Sequence, residues 1–492
     1  MSETITQAEL LSPAPILEAV ENYRGTIIDL DTAQVLSPDE FGRARERLTA
    51  ALRRQGLMSG DRVVIALENG PLFIATLSAV LASEGSPLLL HSKSPPAELQ
   101  RYAQRFGARF LACEPGERAN VAEITTSGLN LDFAVDTMLH WATFEATEPA
   151  SQSPVLRGVP LHPTSGSAGP PKVALRPGFA AIEEARHYMV TMGIDSDDTI
   201  LALPPMSHAY GYGMCVMTPL LTGASILRTR RSTIKLIQRV LKENCPTILP
   251  TLPVMLDMLS VGGGTDLRHV RWVLTAGAML PGRAAERFHT KTGATACPLY
   301  GTTETGAISM ATAGDGRDVD GRVGAPMEGV SVEVRRPQES GDLGANTGKL
   351  FVRSSSMMVG YLDELGRISR PFEDGWFETG DLARIDASGS IDLRGRDSEV
   401  VNVFGLKVAP CEVEEAITQL PGVVEVKVYA GEHSWGTQIV KAAVAVQGDI
   451  TEADLRAHCE QHLVYYKRPQ MITLVPALPR GPTGKINRSQ LP

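Results

Sequence analysis

Apolar residues in the first hundred positions of the chain switch between two periods. From Pro38-Asp39-Glu40 to about residue 56 they recur every three or four positions among charged ones, which predicts an amphipathic helix. Arg62 to Leu67 is a consecutive apolar run and predicts a buried strand, and Leu72 to Ala82 predicts a helix. The longest apolar stretch, Val63 to Ala82, contains Glu68, Asn69, Gly70 and Pro71, so it reads as strand, turn and helix rather than a membrane span. Short apolar runs return at Thr199 to Leu203, Ser225 to Leu227, Thr247 to Leu249 and Val270 to Leu274, separated by helix-like or Gly/Pro-rich stretches. Such alternation predicts layered α/β architecture.

From about residue 325 the pattern changes to strands and turns. Val330 to Arg335, Lys349 to Val352 and Leu382 to Arg394 read as strands, the last broken by a hairpin-like Asp386-Ala387-Ser388-Gly389. The final stretch reads as helix Cys411 to Leu420, strands Val424 to Ala430 and Ile439 to Val446, helix Thr451 to Leu463 and strand Met471 to Val475. Thr451-Glu452-Ala453-Asp454 forms a capping box for the second helix. The expected fold is α/β: a large N-terminal domain over 1–396, with layered α/β subdomains and a β-rich subdomain over about 325–396, then a small α+β C-terminal domain over 397–492.

A length of 492 residues exceeds one ordinary core, and 43% hydrophobic content is enough to build two or three. The formal net charge of -9 argues against a polyanion-coating surface, so nucleic acid is not the expected partner. The leading residues are acidic where a targeting signal would be basic, which points to the cytoplasm. Six scattered cysteines without a C-x-x-C pair predict reduced thiols rather than a zinc or disulfide framework. His458 and His462 stand four apart on a predicted helix but lack the glutamate of H-E-x-x-H and any third ligand, so they read as helix-face histidines. Gly262-Gly263-Gly264 lacks dinucleotide-loop spacing and reads as a connection.

Chemistry concentrates in a few segments. Pro163-Thr164-Ser165-Gly166-Ser167-Ala168-Gly169-Pro170-Pro171-Lys172 sets glycines and hydroxyls beside a lysine, so backbone N–H groups can turn toward a polyphosphate. It is not a Walker A loop, because Val173 stands where Ser or Thr is required. Tyr300-Gly301-Thr302-Thr303-Glu304 offers an aromatic face for a purine, hydroxyls for phosphate and a carboxylate for Mg2+. Thr275-Ala276-Gly277-Ala278 follows a strand at its carboxyl end, where α/β proteins bind ligands. Asp381, in Trp376-Phe377-Glu378-Thr379-Gly380-Asp381, can accept from two ribose hydroxyls, and Arg396 supplies a fork of donors. Pro482-Thr483-Gly484-Lys485 puts a lysine on a Gly/Pro-rich loop near the C-terminus.

In this order the segments resemble the adenylate-forming superfamily of acyl- and aryl-CoA ligases, luciferases and adenylation domains. The resemblance implies that residues 164–172 hold the β- and γ-phosphates of ATP, with Ala168 lacking one usual hydroxyl. It implies that Gly277 and Ala278 lie against the adenine, that Thr303 contacts the α-phosphate, that Glu304 supports Mg2+, and that Asp381 and Arg396 bind the ribose side. Lys485 would bridge the substrate carboxylate and the α-phosphate during adenylation. Val403-Phe404-Gly405-Leu406-Lys407, followed by Pro410-Cys411-Glu412-Val413-Glu414, resembles the segment lining the pantetheine tunnel, with Gly405 at the thiol arm. The small domain is expected to be mobile about the residue two after Arg396, which is Ser398 where the family usually has Asp or Lys.

Pro204-Pro205-Met206-Ser207-His208-Ala209-Tyr210-Gly211-Tyr212-Gly213 resembles the family's acyl-site segment. His208 is either a gate or a structural histidine, and Tyr212 and Gly277 are further expected pocket residues. No Asp stands between Leu203 and Met217 to pair with an α-ammonium, which disfavours amino acids and leaves an aryl or medium-sized apolar acid. The resemblance implies two steps: ATP and a carboxylic acid form an acyl-adenylate, then CoA, or the phosphopantetheine of a carrier protein, displaces AMP as a thioester. A non-catalytic nucleotide- or acyl-binding regulator on the same fold would have no need of Lys485.

Overall fold

A computed structural model describes residues 11–134, 137–145, 156–164, 172–229, 233–261, 265–312, 321–336, 347–396, 400–433, 438–479 and 490–492. The helix expected from Pro38 spans Pro38–Arg54 and is capped by Ser37, whose hydroxyl accepts from the Glu40 amide while the Glu40 carboxylate accepts from the Ser37 amide. Phe41, Ala44, Leu48 and Leu52 form its buried stripe. Strand Arg62–Ala66 is buried at every position because parallel strands flank it, Ser86–Leu89 on one side and Phe110–Cys113 on the other.

That first sheet continues from Ser86–Leu89 through Leu161–Thr164 and Lys172–Leu175 to Gly360–Leu362. Its other edge is a hairpin, Thr125–Ala134 with Thr137–Phe144, which the apolar pattern does not announce because most of the outer strand faces solvent.

In the second sheet Ile27–Asp29, Ser225–Arg228, Thr199–Leu201, Ile248–Thr251, Trp272–Thr275 and Ala296–Thr302 run parallel. At Thr302 the chain reverses. From Gly306–Met310 onward the neighbours are antiparallel: Arg322–Pro326, Ile391–Arg396, Trp376–Ile385, Gly348–Arg353 and Ser331–Arg335. The β-rich segment is therefore the antiparallel half of a sheet whose other half is parallel. The expected break at 386–389 is a turn in which Asp386 Oδ1 accepts from the amides of Ser388 and Ser390.

The chain is an α/β protein with a large N-terminal and a small C-terminal domain. In the small one, strands Val423–Glu432, Gln438–Val446 and Met471–Val475 pack with helices Pro410–Thr418 and Glu452–His462 around Val413, Ile417, Val428, Val444 and Leu455. The Thr451–Asp454 capping box forms as expected. Its docking face meets helix Pro96–Phe106 of the large domain. Lys467 Nζ donates to Glu98 Oε1 at 2.5 Å and to Glu412 Oε1 at 2.6 Å, and Arg105 bridges Glu364 and Glu415.

All six cysteines are free thiols, and Cys113, Cys215, Cys297 and Cys459 are buried. Among the described residues no helix is long and apolar enough to cross a membrane. His458 and His462 stack at 3.9 Å, with His458 Nε2 on the Ala416 carbonyl and His462 Nδ1 on the His458 carbonyl, which accounts for both as helix-face groups. Gly262–Gly264 lie outside the described residues.

Candidate active site

The carboxyl ends of three strands converge on one cavity with an empty volume of about 1260 Å³, open mouth included. Leu161–Thr164 brings Thr164, Trp272–Thr275 leads into Ala276 and Gly277, and Ala296–Thr302 leads into Thr303. Ends of strands in open α/β sheets collect ligands because connecting loops diverge there and leave a crevice.

Thr164 and Lys172, the described residues on either side of 165–171, face each other across an antiparallel pair, and the Thr164 hydroxyl donates to the Lys172 carbonyl at 3.4 Å. Ser165, Gly166, Ser167, Ala168 and Gly169 lie outside the described residues. The Lys172 ammonium sits 5.6 Å from the centre of the Tyr361 ring, and the Tyr361 hydroxyl donates to Glu304 Oε1 at 2.8 Å. Lysine, tyrosine and glutamate thus join strand Lys172–Leu175 to the Tyr300–Glu304 segment. Tyr361 carries no motif; its short strand Gly360–Leu362 places it by pairing with Lys172–Leu175.

Tyr300 and Asp381 meet directly. The Tyr300 hydroxyl donates to Asp381 Oδ2 at 2.6 Å, and the Asp381 amide donates to the Thr379 hydroxyl at 3.1 Å. Both residues are buried. Arg396 lies opposite Asp381 in strand register. The Thr302 hydroxyl meets that of Thr305, and Gly301, Thr302 and Thr303 all line the cavity.

Gly277 and Gly405 bring the two domains into backbone contact. A Cβ on Gly277 would stand 2.7 Å from the Gly405 Cα, and both residues have positive φ, +88° and +95°, which favours glycine. Asn402 fixes the approach: its Nδ2 donates to the Gly277 carbonyl at 2.5 Å and its Oδ1 accepts from the Gly405 amide at 2.8 Å. Ala276 and Gly277 line the cavity with Gly405, Leu406 and Lys407, whereas Ala278 does not. Ser398 and Lys485 lie outside the described residues.

His208 lines the cavity among aromatic neighbours, with ring centres 5.8 Å from His91 and 5.9 Å from Tyr466 of the small domain. Burial, and then the charges of His91 and Lys467, pull its pKa down to about 3, so the imidazole is neutral near pH 7. Tyr212 lies one layer behind the wall, fully buried against His162, and Tyr210 takes the lining position instead. Sequence reasoning missed His91, His162, Tyr361, Asn402, Tyr466 and the Glu98–Lys467–Glu412 cluster. Each acts through a partner far away in the chain, and no local spacing marks such a pair.

In the cluster, burial opposes the Lys467 charge, but Glu412 and Glu98 outweigh it and hold the ammonium pKa well above the ordinary lysine value. Burial likewise opposes the Glu412 charge, and Lys467 and Arg101 overcome it to lower that carboxyl. Among the described residues no group of three or more His, Cys, Asp or Glu gathers as a metal site.

The AMP-binding enzyme family is matched over residues 17–362 and the AMP-binding enzyme C-terminal domain over 412–485. 4-Coumarate–CoA ligase 3 of Oryza sativa subsp. japonica is 25% identical over 491 residues, which cover 95% of this chain and 89% of that one. Fatty acid–[acyl-carrier-protein] ligase MmaC of Mycobacterium marinum is 26% identical over 520 residues, covering 97% of each. The fold is that of amide bond synthetase McbA from Marinactinospora thermotolerans, with a TM-score of 0.81 at 22% identity, covering 96% of this chain and 98% of that one.

Proposed function

Because the chain belongs to the AMP-binding enzyme family, we propose that it activates a carboxylic acid with ATP and passes the acyl group to the thiol of CoA. The observation that carries this reading is the convergence of Thr164, Gly277, Thr303 and Gly405, from four distant segments, on one cavity. In the first step a carboxylate oxygen attacks the α-phosphorus and the bond to pyrophosphate breaks. Residues 164–172 hold the β- and γ-phosphates, Thr303 contacts the α-phosphate, and Tyr300 stacks on adenine, with Gly277 and Ala278 beside it. Asp381, positioned by Tyr300, accepts from the ribose hydroxyls and Arg396 assists. Lys485 brings the two anions together.

A single carboxylate beside substrate phosphates suits Mg2+, which takes few protein ligands, and Glu304, oriented by Tyr361, would hold it. When bound, the ion would neutralise phosphate charge. In the second step the CoA sulfur attacks the acyl carbon, the bond to AMP breaks and the thiol proton leaves to solvent. The described docking, with Gly405 against Gly277, is assigned to this step. His208, neutral and facing Tyr466, gates the acyl site. Rotation about Ser398 would exchange Gly405 for Lys485, so the small domain serves each step with a different edge.

Carrier-protein phosphopantetheine is the alternative acceptor, in line with the name of the Mycobacterium marinum relative. Acid-dependent exchange of labelled pyrophosphate into ATP, screened over an acid panel, tests the first step. Silence with every acid would favour a non-catalytic binder. Thioester formation from active acids with CoA and with carrier proteins then decides the acceptor.

A further inference from the structure

His162 stands two residues before Thr164 and is 1% exposed, yet neither of its ring nitrogens has a hydrogen-bond partner. It lines the cavity together with Glu184 and Tyr188. The Tyr212 ring meets it edge-on at 4.6 Å, and the Tyr212 hydroxyl, also fully buried, has no partner either. A polar atom left unpaired inside a protein is costly, and native structures rarely keep one without a ligand or water to meet it.

The ion pair behind this corner is neutral as a whole, and its cation does not line the cavity, although Arg176 Nε and Nη1 have no partner of their own. Arg176 and Glu184, both essentially without exposure, pair at 2.7 Å, and Glu184 Oε1 also accepts from the Ala307 amide at 3.1 Å. Burial, and then the charges of Arg176 and His208, hold the His162 pKa well below the ordinary histidine value, so its ring is neutral and offers one donor and one acceptor. A second charge on the substrate would find no counter-charge here and would be buried at high cost. A hydroxyl donates and accepts, so it suits His162 whichever nitrogen faces the cavity.

We propose that the acyl pocket selects a monocarboxylic acid bearing a neutral hydroxyl group along its chain or ring, and that His162 is the residue that reads this hydroxyl. This rests on the acid-activating function proposed above, and it narrows the aryl or medium-sized apolar acid expected from the sequence to one that carries a hydroxyl.

The test compares pairs of acids with one carbon skeleton, with and without a hydroxyl at successive positions, by kcat/KM in the pyrophosphate-exchange reaction. The best hydroxylated acid is expected to exceed its parent by about tenfold or more, since a site built to bond a hydroxyl rejects the analogue lacking it. His162→Leu should bring that ratio toward one while leaving the KM for ATP unchanged, and His162→Gln, which keeps a donor and an acceptor, should preserve part of it. Parent acids used as well as or better than every hydroxylated partner would overturn the inference and leave acid activation standing, even without a folded variant. An unchanged ratio in His162→Leu would remove His162 as the reader. No exchange with any acid would instead refute acid activation itself.

Discussion

Gly277 shows how much one missing methyl can carry. Alanine there would set a Cβ 2.7 Å from the Gly405 Cα and hold a side chain at φ +88°, a conformation that costs an L-residue about 1–2 kcal/mol. The obstruction is backbone, so no rotamer relieves it. Since the contact exists only while the domains are docked, Gly277→Ala should slow thioester formation from supplied acyl-adenylate about tenfold or more and slow adenylate formation less. Separate single-turnover rates for the two half-reactions check this, and equal losses would contradict it. At this scale the sequence is legible where a residue belongs to a motif and silent where its meaning is a partner. Tyr300 and Asp381 are each visible, but their hydrogen bond is not. His162 is an ordinary histidine until its burial and unpaired nitrogens are known.

Among elements, periodicity captures what is strongly patterned. Helix Pro38–Arg54, strand Arg62–Ala66 and helix Glu452–His462 lie close to where the apolar spacing puts them, because amphipathic or fully buried elements carry their environment in their composition. The hairpin Thr125–Phe144 escapes because its outer strand faces solvent, and the three-residue strand Gly360–Leu362 is too short to establish a period. That short strand nevertheless delivers Tyr361 between Lys172 and Glu304. Tyr361→Phe keeps the ring beside the ammonium and removes the donor to Glu304, a bond to a charged acceptor worth about 1.5–3 kcal/mol. The expected outcome is a fall of about tenfold or more in kcat/KM for ATP at limiting Mg2+, with a smaller effect at saturating Mg2+. A loss independent of Mg2+ concentration would detach Tyr361 from the role given to Glu304.

For the whole molecule, docking depends on the Glu98–Lys467–Glu412 cluster. Burial opposes the Glu412 charge, and Lys467 of its own domain together with Arg101 and Tyr102 of the large one lower its pKa; the cross-domain share belongs to docking, is complete above the ordinary value of 4.5 and is lost as pH falls through the lowered one. Lys467 has a raised pKa, so its contribution is complete below 10.5 and is lost as pH rises through the raised one. Docking should therefore hold across neutral pH and loosen on acidification below about 4.5, seen as an increase in radius of gyration by small-angle scattering. Lys467→Met leaves buried Glu98 without its cation and Glu412 with Arg101 alone at 3.6 Å, a change worth about 3–5 kcal/mol against the docked arrangement. It should impair thioester formation more than adenylation, whereas Lys485→Ala should do the reverse; the same split in both variants would refute the division of labour.

A buried ion cluster also differs from a greasy seam in what it asks of a moving part. Drying these charges costs about as much as their attraction recovers, so parting them into water is close to neutral overall. An apolar joint of similar area would favour one position and resist release. On the proposed cycle, the Lys467–Glu98 pair across the joint lets it be specific in its geometry and still come apart at every turnover.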